Sequence, residues 1–286
     1  MSNKVKIAGA QINPIILDIE NNLNKCLEFA REAVSKGAKL TILPEAALTG
    51  YCFTSLEEAI PVAETIPGIS TEKIIALCQD LGTYVIVGLI EKENNRYYNA
   101  AVLLGPEGLI GKYRKLHLPY LGVDRFLNHG NLPLTVYNTE IGRIGIGICF
   151  DVDFPEHSRV LALKGADIVV NITNFPGPTI NPRITHCIYA RAIENTIYYI
   201  AVNRVGTERG WNFFGSSMAI DPQGKLIAQA KENEEEILYI EIDPTIARQK
   251  YQVMIPEQLE MDLMRDRRPE YYSEIVRPIQ DKSRIR

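Results

Sequence analysis

Gly37-Ala38-Lys39-Leu40-Thr41-Ile42-Leu43 and Gly165-Ala166-Asp167-Ile168-Val169-Val170-Asn171 share one pattern, a glycine-led entry into an apolar run, and the fold turns on whether they are copies. Both runs are too uniformly apolar to leave one face in water, so both read as strands covered on two sides. A second pair of echoes lies downstream of each: Leu104-Gly105-Pro106-Glu107-Gly108-Leu109-Ile110, and Ile220-Asp221-Pro222-Gln223-Gly224-Lys225-Leu226-Ile227. Gly-Pro-Glu-Gly and Asp-Pro-Gln-Gly are turn sequences that join hairpin strands. Each half then runs strand, helix, strand, hairpin. Two such halves give two mixed sheets, each with helices on one side, and their bare faces must pack together. The expected fold is therefore α/β, a four-layer α-β-β-α sandwich with a pseudo-two-fold axis. The competing account is that such strand and turn fragments recur by chance, since turn chemistry is reused freely.

Working outward, VKIAGAQI, YVIVGLI, IGRIGIGIC, IYYIAVNRV and ILYIEID add further strands. Helical spacing marks Asn21 to Ser35, Ser70 to Leu81, Pro155 to Lys164 and Asn181 to Asn195; Leu23, Leu27, Ala30 and Val34 share a face in the first. From Tyr251 the pattern gives way to charged and aromatic residues that cannot build their own core. The expected division is a domain over 1–250 and a tail over 251–286, frayed or laid across another subunit. Composition is ordinary for a globular chain of 286 residues, and a net charge of −4 gives no pull toward nucleic acid or anionic lipid. No apolar run is long enough to span a bilayer, and none resembles a signal peptide. The five cysteines are scattered with no C-x-x-C pair, which argues for a reducing, cytoplasmic setting and against zinc.

Three residues invite chemistry. Cys149 ends the run Ile144-Gly145-Ile146-Gly147-Ile148 and precedes Pro155, a good first helical residue, with Asp153 as a plausible cap. A thiol there would feel N–H dipoles that favour thiolate, and the same groups could receive an oxyanion. Alternatively it is a small buried hydrophobe. Glu45, in Leu43-Pro44-Glu45-Ala46-Ala47-Leu48-Thr49-Gly50-Tyr51, follows a buried strand; it is either a base tuned by burial or a capping glutamate. Lys115, in Gly111-Lys112-Tyr113-Arg114-Lys115-Leu116-His117-Leu118-Pro119, is either functional or part of a solvated basic cluster.

Together the strings LPEAALTGY, GKYRKLHLP and GICFDVDFPE, in that order, resemble the nitrilase superfamily of carbon–nitrogen hydrolases, on its amidase side. KIAGAQINP, ARAIENTIYYIAVNRVG and GSSMAIDPQG extend the likeness over nearly the whole chain. The resemblance implies the same four-layer fold and a homodimer or larger assembly. It also implies hydrolysis of a small amide to acid and ammonia, with Cys149 as nucleophile, Glu45 as base, and Lys115 with the Phe150 N–H at the oxyanion, and no metal or cofactor. Tyr51, Phe150, Asn174 and Phe175 are candidates for the pocket wall. Cys149-Phe150-Asp151-Val152 lacks the C-W-E-N of true nitrilases, so nitrile or N-carbamoyl amine hydrolysis is the alternative, and a non-catalytic interaction protein the alternative of another class.

One departure stands out. Many members resemble E-x-F-x-x-x-G after the lysine, where this chain has Gly122-Val123-Asp124-Arg125-Phe126-Leu127-Asn128-His129-Gly130. Asp124 is the acid available there, as a supporting carboxylate or as a loop aspartate beside Arg125. His117 could pair with Cys149 as a dyad or serve as a structural histidine, the expected role, since Glu45 and Lys115 already supply base and cation.

Overall fold

The computed structural model describes residues 4–179 and 181–278. It opens with β1 (Val5–Gln11), α1 (Ile19–Ser35), β2 (Leu40–Ile42), α2 (Leu56–Ala59), α3 (Ile69–Leu81), β3 (Tyr84–Glu93), β4 (Arg96–Gly105) and β5 (Gly108–Arg114). It continues with β6 (Val136–Thr139), β7 (Gly142–Ile148), α4 (Pro155–Leu163), β8 (Ile168–Thr173), α5 (Pro182–Asn195) and β9 (Tyr198–Asn203). Then come β10 (Val205–Glu208), β11 (Trp211–Phe214), β12 (Met218–Ile220), β13 (Leu226–Gln229), β14 (Glu236–Ile242), β15 (Tyr251–Ile255) and β16 (Leu259–Asp262).

The expected duplication is present in the topology. One six-stranded sheet has the order β14-β1-β2-β3-β4-β5 and the other β6-β7-β8-β9-β12-β13. In both, the successive pairings are antiparallel, parallel, parallel, antiparallel, antiparallel. The two echoing runs are the equivalent strands β2 and β8, and the two turn sequences close the equivalent hairpins β4–β5 and β12–β13. The strand before β7 in the second half is matched by β14, which returns from far along the chain to pair with β1. That closure lies outside the reach of local sequence pattern.

Period-two alternation assigns the two faces of the first sheet. Val85, Val87 and Leu89 of β3 and Val102 and Leu104 of β4 pack with Leu23, Cys26 and Ala30 of α1 and Ile74, Leu77 and Cys78 of α3. Within α1 the buried stripe is Leu23, Cys26, Ala30 and Ala33, with Leu27 and Val34 only half-buried, a slight rotation from the expected face. The opposite face meets the second sheet: a Cβ on Gly9 of β1 would stand 3.1 Å from Val202 of β9. Helix α4 covers the outer face of the second sheet, with Leu161 against Gly145 of β7. Among the described residues no helix is long and apolar enough to cross a membrane.

Residues from Gln249 form a separate small unit in which β15 and β16 pair antiparallel. The expected tail is thus a short exposed hairpin with turns after it; Ile279 to Arg286 lie outside the described residues. The helix cap at α4 also differs from expectation. Its N-cap is Phe154 with no side-chain bond, because residues Cys149–Asp153 form a 3-10 turn that shifts Asp153 off the capping position. Asp153 pairs instead with Arg183 at 2.9 Å.

Gly88 on β3 decides how close the loop after β2 can lie. A Cβ there would stand 2.5 Å from the Ala46 nitrogen, 2.6 Å from the Pro44 oxygen and 2.8 Å from the Glu45 Cα. No rotamer change relieves a clash with backbone, so Gly88→Ala must push the loop off the sheet. The expected cost is about 1–3 kcal/mol, typical of overpacking. Urea denaturation of the two proteins measures it, and an unchanged midpoint would show that the loop does not need this close approach.

Candidate active site

The residues singled out in the sequence converge at one end of the sandwich. Glu45 follows β2, Lys115 follows β5, Cys149 follows β7 and Asn174 follows β8. Each therefore sits beyond the carboxyl end of its strand, where ligand crevices of α/β sheets form. Two backbone kinks aim the first and third. Ala46, just after Glu45, has φ 51°, and Cys149 itself has φ 47°. A non-glycine residue in this region costs on the order of 1–3 kcal/mol and persists where surrounding bonds fix it. Here Asn171 Nδ2 donates to the Cys149 carbonyl at 3.2 Å, and the Ile148 N–H donates to Asp151 Oδ2 at 2.9 Å.

Asp151 is the anchor of that turn. It is fully buried and also accepts from the Tyr113 hydroxyl at 2.7 Å and pairs with His117 Nδ1 at 2.6 Å. Burial alone would raise its pKa, but the hydrogen bond with His117, the nearby His157 and the Ile148 N–H hold it below the ordinary carboxylate value. His117 stacks on Phe154 with ring centroids 3.6 Å apart. It is thus bound to the turn's aspartate, the structural histidine of the two readings.

Lys115 Nζ lies 2.7 Å from Glu45 Oε1 and 2.6 Å from Asp124 Oδ2, and all three side chains are buried. Tyr51 donates its hydroxyl to Asp124 Oδ2 at 2.9 Å. Asn99, on β4, donates Nδ2 to Glu45 Oε1 at 2.7 Å and to Asp124 Oδ1 at 2.8 Å. An ammonium has three hydrogens, so two committed ones leave a third for another acceptor. Glu45 Oε2 is buried with no hydrogen-bond partner among the described residues.

Electrostatics divides the roles. Burial pushes the Glu45 pKa up, Lys115 pulls it down and Asp124 pushes it up; the net is upward from 4.5. Burial would depress Lys115, but Asp124, Glu45 and Cys149 together hold its ammonium well above the ordinary value. Burial followed by Glu45 pushes the Cys149 thiol well up, against Lys115 and the Asn174 N–H, which favour thiolate. The oriented N–H expected from the sequence to favour thiolate is present, but taking sulfur out of water outweighs it and holds the thiol up.

Of the wall candidates, Tyr51 is fully buried against Asp124, and Phe175 is buried with its N–H bonded to Asn203 Oδ1 at 2.9 Å. Phe150 is half-buried, edge-on to Phe154. Asn174 is fully buried, and neither atom of its amide has a partner among the described residues. Arg191 braces the cysteine turn by donating to the Val152 carbonyl at 2.9 Å. Sequence reasoning missed Asn99, Asp151 and Glu208. Glu208 accepts the N–H groups of Tyr51 and Cys52 at 2.9 and 2.6 Å and pairs with Arg204 at 2.8 Å, tying β10 to the loop after Glu45. Among the described residues no group of three or more His, Cys, Asp or Glu is arranged to hold a metal ion.

Comparisons with known proteins identify the family. The family model for carbon-nitrogen hydrolases matches residues 6–251. A nitrilase of Pyrococcus abyssi is 39% identical over 94% of this chain and 99% of its own length. An omega-amidase of Xenopus laevis is 32% identical over 91% of this chain and 96% of its own. The crystal structure of a carbon-nitrogen hydrolase from Helicobacter pylori superposes with a TM-score of 0.84 at 25% identity, covering 97% of this chain and 99% of that one. With the whole two-sheet unit matched in sequence and in fold, the chain belongs to the carbon-nitrogen hydrolase family.

Proposed function

We propose that the protein hydrolyses the non-peptide C–N bond of a small linear amide, giving a carboxylic acid and ammonia through a thioester on Cys149. The observation that carries this is the buried junction in which Lys115 is held between Glu45 and Asp124 within electrostatic reach of the Cys149 thiol. An amide carbon is a weak electrophile and amide nitrogen a poor leaving group, so a covalent route divides one high barrier into two. Cys149 Sγ attacks the carbonyl carbon as its proton passes to Glu45 Oε2, the carboxylate oxygen without a partner. The carbonyl electron pair moves to oxygen, which Lys115 and the Phe150 N–H receive. The first N–H groups of the 3-10 turn at Cys149–Asp153 have no acceptor within that turn, which suits this use. Glu45 returns the proton to nitrogen, the C–N bond breaks and ammonia leaves. Water then gives a proton to Glu45 and attacks the thioester; the C–S bond breaks, the acid departs, and the thiol recovers its proton. Asp124 serves by holding Lys115 in place.

Cys149-Phe150-Asp151-Val152 and the relative named omega-amidase favour amides over nitriles. Nitrile hydrolysis is the second reading, favoured by the relative named nitrilase. Ammonia release from a panel of amides, carbamoyl amines and nitriles, comparing wild type with Cys149→Ala, tests both. Release from an amide that vanishes in the variant is expected; release that survives it would remove the thioester route. Lys115→Ala is expected to lower kcat by roughly 10²–10³, the usual effect of deleting an oxyanion contact.

The pH dependence has a definite sign. Glu45 is raised above 4.5, so its base form is present above that raised pKa and lost as pH falls through it. The acidic limb of kcat/KM should therefore lie above 4.5 and be set by Glu45. A limb at or below the ordinary glutamate value would sink the assignment.

We also propose that the tail from Tyr251 contacts a second copy of the chain. Tyr251, Val253, Met254 and Ile255 are 56, 50, 64 and 47% exposed, an apolar cluster of the kind that marks an interaction surface. Deleting Tyr251 to Arg286 should shift sedimentation toward monomers, and an unchanged assembly would refute the contact.

A further inference from the structure

Asn99 lies near the start of β4, opposite Ile90 of β3, and its carbonyl accepts the Lys115 N–H at 2.8 Å. Its side chain is buried at 1% exposure between two carboxylates. Carboxylate oxygens only accept hydrogen bonds, so the amide must turn Nδ2 toward Glu45 Oε1 and Asp124 Oδ1, and both of its hydrogens are spent there. The other end of the same amide, Oδ1, is buried without a partner among the described residues. An unpaired buried acceptor costs about 1–3 kcal/mol, so the residue is not explained by packing alone. What it does uniquely is give a neutral donor to both acids at once, beside a lysine that already gives a charged one to both.

We propose that Asn99 is a positioning residue that commits Glu45 Oε1 and so makes Oε2 the one oxygen through which protons pass to and from Cys149. The inference rests on the amidase reading above and deepens it. Lys115 and Asn99 both bind Oε1, and Asp124 is held on its two oxygens by Asn99, Lys115 and Tyr51. With both acids clamped, the carboxylate plane of Glu45 cannot rotate to exchange its oxygens. The groups facing Glu45 are Lys115, Asp124, Cys149, Tyr51 and Asn99 itself. Of these, Asn99 is the neutral side-chain donor bonded to Glu45 directly, and its hydrogen bond favours the base form. Removing it should leave Glu45 freer to turn and harder to ionise.

The test uses Asn99→Ala and Asn99→Ser in the full chain, with wild type, Glu45→Gln and Cys149→Ala alongside. Alkylation of Cys149 by iodoacetamide, read by peptide mass over a pH range, needs no knowledge of the substrate. Cys26, Cys52 and Cys78 are pushed up to about 12 and give a slow background. In the Asn99 variants the acidic limb of Cys149 alkylation should move to higher pH. The rate at neutral pH should fall about tenfold, less than the roughly 10²–10⁴ that a placed acid–base group itself contributes. Serine, which can still donate to one carboxylate, should recover part of the loss. A limb that stays at the wild-type pH in every variant that folds would overturn the proposal, as would a serine variant no better than alanine. Failure of the amidase reading is separate: it appears as wild-type ammonia release that Cys149→Ala does not abolish.

Discussion

The site depends on burying an ammonium. Lys115 is fully out of water, and a lone cation there would cost several kcal/mol. It is tolerated because Glu45 and Asp124 each place an oxygen within 2.7 Å. Two acids against one base leave an excess negative charge when both ionise. Burial and Asp124 both push the Glu45 pKa up, so the strain of that excess is relieved at Glu45. In the proposed reaction the proton carrier is thus selected by the cluster's charge balance before any substrate arrives. Tyr51 and Asn99 complete the set as neutral donors that add no charge of their own.

The duplicated topology positions these groups without duplicating their roles. The ends of equivalent strands β2 and β8 carry Glu45 and Asn174, and those of β1 and β7 carry Gln11 and Cys149. Gln11 is structural: its amide donates to the Lys231 and Glu234 carbonyls at 2.8 Å each and accepts from Ser217 Oγ at 2.8 Å. Equivalent strand ends therefore tie a loop together in one half and carry the thiol in the other. Sheet geometry supplies the converging ends, and side-chain chemistry alone distinguishes them.

That division explains what the sequence revealed. The strands and helices were legible because burial on both faces makes β3 and β4 unbroken apolar runs and puts a helical stripe on α1. Glu45, Lys115 and Cys149 stood out through their surrounding strings. Asp124 was ambiguous because its segment is a residue short of the familiar pattern, and only the fold shows it returning to Lys115. Asn99 and Glu208 gave no local signal: a polar residue in an apolar strand and an acid before a hairpin turn both look ordinary. Their importance comes from partners 54 and 157 residues away in sequence. Asp151 was passed over for the opposite reason, lying so close to Cys149 that it read as background to the cysteine.

A resting thiol, rather than a thiolate, changes what the surrounding groups must do. A preformed thiolate would compete with the substrate oxyanion for Lys115, and stabilising both equally would lower the barrier little. With the proton on sulfur, the hydrogen that Lys115 has not given to Glu45 or Asp124 stays available until charge appears on the substrate oxygen. In the proposed reaction burial, which raises the thiol, thereby reserves the strongest donor in the site for the transition state. The same desolvation makes each of those hydrogen bonds stronger than it would be in water. Loosening the site to lower the thiol pKa would therefore weaken the oxyanion contact at the same time.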